Sequence, residues 1–123
     1  MKLLKTPLRY PGGKSRACIK LEQYFPDLRD FKEYREPFVG GGSVAVYLTK
    51  KYPNLDIWVN DLYEPLVNFW KTLQDDGKNL HPELQELKSK HPKPVTAKNF
   101  FLESKEVLND NKACALSRVF FFF

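Results

Sequence analysis

Residues 1–13 show no regular spacing of apolar positions, and Pro7, Pro11, Gly12 and Gly13 punctuate them as loop. Beyond them Ala17, Cys18, Leu21, Tyr24 and Phe25 fall on one face at helical spacing. That spacing predicts a helix over about 16–25, capped by Ser15 and stopped at Pro26-Asp27. A short strand follows over about Tyr34–Val39 and is broken by Gly40-Gly41-Gly42. Ser43 opens a second helix through about Lys51, with Val44, Tyr47 and Leu48 inward. Pro53-Asn54 turns the chain into a second strand, Asp56–Val59, which ends at Asn60-Asp61. A third helix is predicted over about Tyr63–Gln74, with Leu66, Val67, Phe69 or Trp70, and Leu73 on its buried side.

The order helix, strand, helix, strand, helix predicts a right-handed parallel crossover, so the first half is α/β. From Leu80 onward only helical periodicity remains. It runs through Leu80, Leu84 and Leu87, then Ala97, Phe100, Phe101 and Leu108 with Thr96 as a cap, then Leu116, Val119 and Phe120. The expected division is an α/β portion over 1–77 and a helical segment over 78–123.

Composition narrows the class. At 123 residues the chain is one domain or a piece of one, and 42% hydrophobic content favours a folded chain over a disordered one. The longest apolar run, Val119–Phe123, is far too short to span a membrane, and no early run resembles a signal peptide. Cys18 and Cys114 lack metal or redox spacing, as do His81 and His91, so a cytoplasmic protein with no metal and no membrane partner is expected. Net charge is +5, and its placement matters more than its size. Lys2, Lys5, Arg9, Lys14, Arg16 and Lys20 precede the first acid, Glu22, which makes a local positive field suited to a polyanion or an anionic cofactor group.

Three stretches carry candidate chemistry. "RYPGGKS" (9–15) ends like a phosphate loop, but that motif needs glycine where the chain has Leu8. "EPFVGGGSVA" (36–45) is a strand running through a glycine turn into a helix, which lets backbone approach a ligand and aims free amides at it. "VNDLYEP" (59–65) brings Asp61 to the carboxyl end of the next strand, where ligands of open parallel sheets bind. A carboxylate there can accept both hydroxyls of a ribose. Taken singly, the glycines are a turn and Asp61 is a helix cap; both at the ends of one βαβ unit favour a nucleoside site. Gly40 to Ala45 also satisfies G-x-G-x-x-A, with Asp61 21 residues after Gly40, so an NAD-binding oxidoreductase fragment stays open. So does a non-catalytic, basic DNA-binding module.

"PLRYPGGKS", "EPFVGGGSVA" and "VNDLYEPLVNFW", in this order, resemble the N-terminal half of the Dam-like (D12 class) adenine-N6 DNA methyltransferases. The likeness is specific over about residues 7–75 and weaker from 78 to 123. It implies a partial Rossmann-like, S-adenosylmethionine-dependent methyltransferase fold with a helical C-terminal segment. It also implies site-specific methyl transfer to adenine in double-stranded DNA, by a monomer in a restriction-modification setting. By the same resemblance Tyr10, Gly12, Gly13 and Lys14 fold over S-adenosylmethionine, with Lys14 on the methionine carboxylate. Phe38, Gly40 and Gly42 form the cofactor turn, and Asp61 holds the ribose. Tyr10 stands where many members have tryptophan. The family's Asp-Pro-Pro-Tyr motif has no counterpart, because the chain contains no Pro-Pro pair. No catalytic residue is therefore assigned, and a chain truncated before that motif, inactive alone, is expected.

Overall fold

The computed structural model describes residues 4–110. The described residues fall into two compact units, divided between Asp61 and Leu62.

The first unit is built on two parallel strands, β1 (Glu33–Glu36) and β2 (Asp56–Val59), paired Glu33 to Asp56 through Glu36 to Val59. The helix α2 (Ser43–Lys51) connects them. α2 and β2 have the bounds that the polar and apolar pattern predicts. β1 ends sooner than the expected Val39, because Pro37 has no N–H to give to a ladder. Pairing nevertheless continues past the strand ends: Asn60 N–H donates to the Glu36 carbonyl at 2.9 Å, and Val39 N–H to the Asn60 carbonyl at 2.8 Å. This continuation fixes the two loops that follow the strands side by side.

Val44, Tyr47 and Leu48 of α2 point inward, as expected, and pack in one core with Cys18, Leu28 and Leu55. The first helix departs from the pattern. α1 covers only Cys18–Glu22, and its N-cap is Ala17. The Ser15 hydroxyl is not a cap; it stands 3.1 Å from the Ser43 hydroxyl. The Lys14 carbonyl instead takes the N–H groups of Ala17 and Cys18, at 2.8 and 3.0 Å. Tyr24, expected on the inner face, is 84% exposed, because the helix has ended before reaching it.

Glu22 ties α1 to α2 and the turn after it. Its carboxylate accepts the Tyr47 hydroxyl at 2.6 Å and the Tyr52 hydroxyl at 3.1 Å, and it pairs with Lys51. The Lys51 ammonium, then the Tyr47 hydroxyl, hold its carboxyl below the usual carboxylate range. A lowered folded value contributes stability that is present above the unfolded value, about pH 4.3, and lost as pH falls through the folded value. Glu22→Gln is therefore expected to cost on the order of 1 kcal/mol at pH 7 for this part-exposed site. The check is thermal unfolding of both chains, whose difference should close below about pH 4; a gap constant down to pH 3 would assign the loss to packing alone.

In the second unit α3 spans Glu64–Lys90 and α4 spans Pro94–Asp110. α3 starts where expected, with proline in its first turn, where no amide is needed. It does not stop at Gln74. Asp76 leaves helical geometry (φ −140°, ψ 34°), and the chain then resumes as helix. Leu66, Phe69, Leu80 and Leu84 are buried, whereas Leu73 is exposed. In α4 Leu108 is buried, and the Thr96 hydroxyl donates back to the Lys93 carbonyl at 2.9 Å rather than capping the helix. The expected inward positions Leu116, Val119 and Phe120 lie outside the described residues. Helical character beyond residue 78 is observed as far as Asp110. Among the described residues no helix is long and apolar enough to cross a membrane.

Candidate functional site

The parallel pair delivers two segments to one edge, residues 37–42 after β1 and Asn60-Asp61 after β2. The first makes a tight turn. Gly40 and Gly42 take left-handed backbone (φ +51° and +66°), where a side chain would be strained, and Gly42 caps α2. The second segment reaches across to it: Asp61 Oδ2 accepts the Gly40 N–H at 2.9 Å. Asp61 is thus bound to the glycine turn and is not the cap of the following helix, a place taken by Tyr63.

The N-terminal segment lies over the same turn. Its own loop closes through Gly13 N–H on the Tyr10 carbonyl at 3.1 Å, with Gly12 at φ +74°. The Thr6 hydroxyl donates to the Gly41 carbonyl. Tyr10 is set directly on the glycines. A Cβ on Gly40 would come within 3.2 Å of the Tyr10 ring, and one on Gly41 within 2.8 Å of the Tyr10 Cβ. The Lys14 ammonium reaches the Gly12 carbonyl at 3.4 Å.

Between segment and turn is a cavity of about 270 Å³. Tyr10, Gly12, Gly13, Lys14, Phe38, Gly40 and Gly42 line it, and these are the residues expected from the sequence. Asp61 does not line the cavity; it is joined to the turn through the Gly40 N–H. Phe38 is 84% exposed, an aromatic face at the rim.

Six further lining residues were not expected: Pro11, Glu36, Val39, Gly41, Ser43 and Val44. Gly41 carried no signal of its own, since its role is the close approach of Tyr10. Glu36 ends β1 and lines the cavity as well. Its Oε2 is buried without a hydrogen-bond partner. Burial pushes the Glu36 carboxyl up, against the pull of the Ala45 N–H, the Tyr34 hydroxyl and, more weakly, the Lys14 charge. The neighbouring Tyr34 hydroxyl is pushed up to about 12, by burial first and by Glu36 second.

A larger hollow, about 800 Å³, runs along Phe25–Arg29 and Lys51–Leu55. Its charged groups are already matched in pairs, Arg29 with Asp27 and Lys51 with Glu22. Among the described residues no group of His, Cys, Asp and Glu side chains could hold a metal ion. His91 stacks on Phe100 at 4.5 Å. Cys18 is a buried free thiol, and Cys114 lies outside the described residues.

The family model for D12 class N6 adenine-specific DNA methyltransferases matches residues 10–121. Type II methyltransferase M.MjaIII of Methanocaldococcus jannaschii is 32% identical over 114 residues, which cover 89% of this chain and 39% of that protein. The DNA N-6-adenine-methyltransferase of Escherichia phage P1 is 42% identical over 73 residues, 58% of this chain and 9% of that protein. The chain thus spans well under half the length of either relative.

Proposed function

The chain belongs to the D12 class of N6 adenine-specific DNA methyltransferases, and we propose that it supplies the cofactor-binding part of such an enzyme. The reaction is site-specific methyl transfer from S-adenosylmethionine to adenine N6 in double-stranded DNA, in the cytoplasm, by a monomeric protein. The fold is a partial Rossmann-like one. Residues 1–77 form its cofactor-binding portion, and 78–123 form a helical segment leading toward target recognition.

One observation carries this reading. The Tyr10–Lys14 loop and Asp61 both meet a left-handed glycine turn at the carboxyl ends of two parallel strands. The residues fit the cofactor's chemistry. The glycine turn gives an approach unobstructed by side chains, with the first amides of α2 beside it. The Asp61 carboxylate accepts the Gly40 N–H, and a carboxylate is an acceptor that suits ribose hydroxyls. Lys14 offers a point charge for the methionine carboxylate. Tyr10 and Phe38 offer aromatic faces to the apolar and cationic parts of the ligand. At about 270 Å³ the cavity is just below the usual small-molecule range of roughly 300–1,000 Å³, so these residues hold part of the ligand's surface.

When bound, S-adenosylmethionine supplies the electrophilic methyl group. What this chain does is bind and orient it. The chain has no Pro-Pro pair, so the Asp-Pro-Pro-Tyr step of presenting the adenine amino group is assigned to none of its residues.

The G-x-G-x-x-A spacing is common to this site and to dinucleotide sites, so the test is titration of the chain with S-adenosylmethionine and, separately, NADH. Binding of the first and none of the second is expected. Tight NADH binding with no response to the methyl donor would overturn the proposal.

A further inference from the structure

The Tyr10–Lys14 loop forms one wall of the cavity, yet Pro11, Gly12, Gly13 and Lys14 are all exposed. Its footing is a polar cluster at the residues that follow. The Ser15 hydroxyl stands 3.1 Å from the Ser43 hydroxyl. The Cys18 thiol faces the Lys14 carbonyl at 3.2 Å and the Ser43 carbonyl at 3.5 Å. Ser15 is thus tied directly to the first residue of α2, and Lys14 is tied to it through Cys18. Ser43 is 7% exposed and follows the glycine turn. Its hydroxyl is not needed by the helix it opens. Gly42 holds the N-cap place, and alanine is the better residue inside a helix. A buried hydroxyl costs free energy unless it is bonded, and the partner this one has is Ser15, 28 residues away.

Where the Lys14 backbone stands decides where its ammonium can go. The side chain is a flexible stem carrying a point charge, so its reach is set at the root. We propose that Ser43 is a positioning residue: through Ser15 it sets the root of Lys14 against α2, which places the ammonium for the methionine carboxylate of the cofactor. This rests on the cofactor reading above and adds to it the pair that holds the loop in place. Ser15 and Ser43 act on the ligand through Lys14, as one unit. Two hydroxyls that serve one contact lose it once, whichever of them is removed.

The experiment uses S-adenosylhomocysteine and 5′-methylthioadenosine, which keeps the nucleoside and lacks the amino acid group. Both are titrated into the chain, into Ser15→Ala, Ser43→Ala and the double variant, and into Ser15→Thr, with folding checked by circular dichroism. Either alanine removes one neutral hydrogen bond, so each should bind S-adenosylhomocysteine about threefold to tenfold more weakly. The double variant should bind no more weakly than the weaker single one. Ser15→Thr keeps the hydroxyl, and a cavity of about 30 Å³ beside it has room for the added methyl group, so it should bind like the parent. For 5′-methylthioadenosine every variant should stay within about twofold of the parent. Losses that add in the double variant would overturn the proposal by making Ser43 act on the ligand without Ser15. Equal losses for the two ligands would overturn it as well, since the pair would then support the whole turn and not Lys14. If Ser43→Ala does not fold, Ser15→Ala against Ser15→Thr with both ligands still decides. A parent chain that binds NADH and no S-adenosylhomocysteine would overturn the cofactor reading itself, a distinct result.

Discussion

Asp61→Ala is expected to weaken S-adenosylmethionine binding by about 1.5–3 kcal/mol, a factor of roughly 10 to 100 in affinity, the range for hydrogen bonds to a charged group. Two losses combine in that figure. The Gly40 N–H loses its 2.9 Å acceptor, so the turn is less firmly held, and the ribose loses its carboxylate. Asp61→Asn separates them. Its amide oxygen can still accept from Gly40, so the turn should persist, while one acceptor oxygen and the charge are gone. Calorimetric titration should rank the three chains in falling affinity as the parent, then Asp61→Asn, then Asp61→Ala. If the alanine variant and the parent chain bind the cofactor equally, Asp61 is a structural clasp and the ribose is held elsewhere.

The largest stability change is expected at Leu48. It is completely buried, at the centre of the cluster that α2 makes with Cys18, Leu28 and Leu55. Leu48→Ala removes those contacts and leaves a cavity, which costs about 2–5 kcal/mol in well-packed sites. Against a total stability of roughly 5–15 kcal/mol for a typical domain, that is a large fraction. Urea unfolding should show the midpoint falling sharply. An alanine in place of the exposed Lys50 should change stability by less than about 0.5 kcal/mol. A loss at Leu48 as small as the one at Lys50 would show that α2 is not the centre of this core.

The parts of the fold that were legible in the sequence are those bounded by strong local signals. Three glycines before α2 and Pro53-Asn54 before β2 punctuate the chain whatever surrounds them, and both elements have the expected bounds. Where an end depends on a contact far along the chain, local pattern misleads. Ser15 has every mark of a helix cap, yet its hydroxyl is beside Ser43, 28 residues away. Gly77 follows a plausible helix end, yet the chain bends at Asp76 and continues as helix. The same division applies to the site. The loop, the glycine turn and Asp61 are marked by composition and spacing. Glu36 reads on a strand as an ordinary polar position, and only its buried oxygen in the folded unit gives it away. Gly41 is one glycine among three until Tyr10 is seen against it.

The stitching of the N-terminal segment onto the glycine turn has a consequence for the order in which the site comes into being. Thr6 reaches Gly41 across 35 residues, and Ser15 meets Ser43 across 28. Closing loops of that length gives up chain entropy before any contact rewards it. The turn they close onto exists only once β1 and α2 have formed. The cavity is therefore assembled last, from a segment with few buried side chains of its own, Leu8 among them. By the same reasoning it is the first part to come apart, in local openings that leave the α2 core intact. A ligand that touches both the segment and the turn is therefore expected to hold the segment down, and slower amide exchange over residues 6–15 on binding is the measurement that checks it.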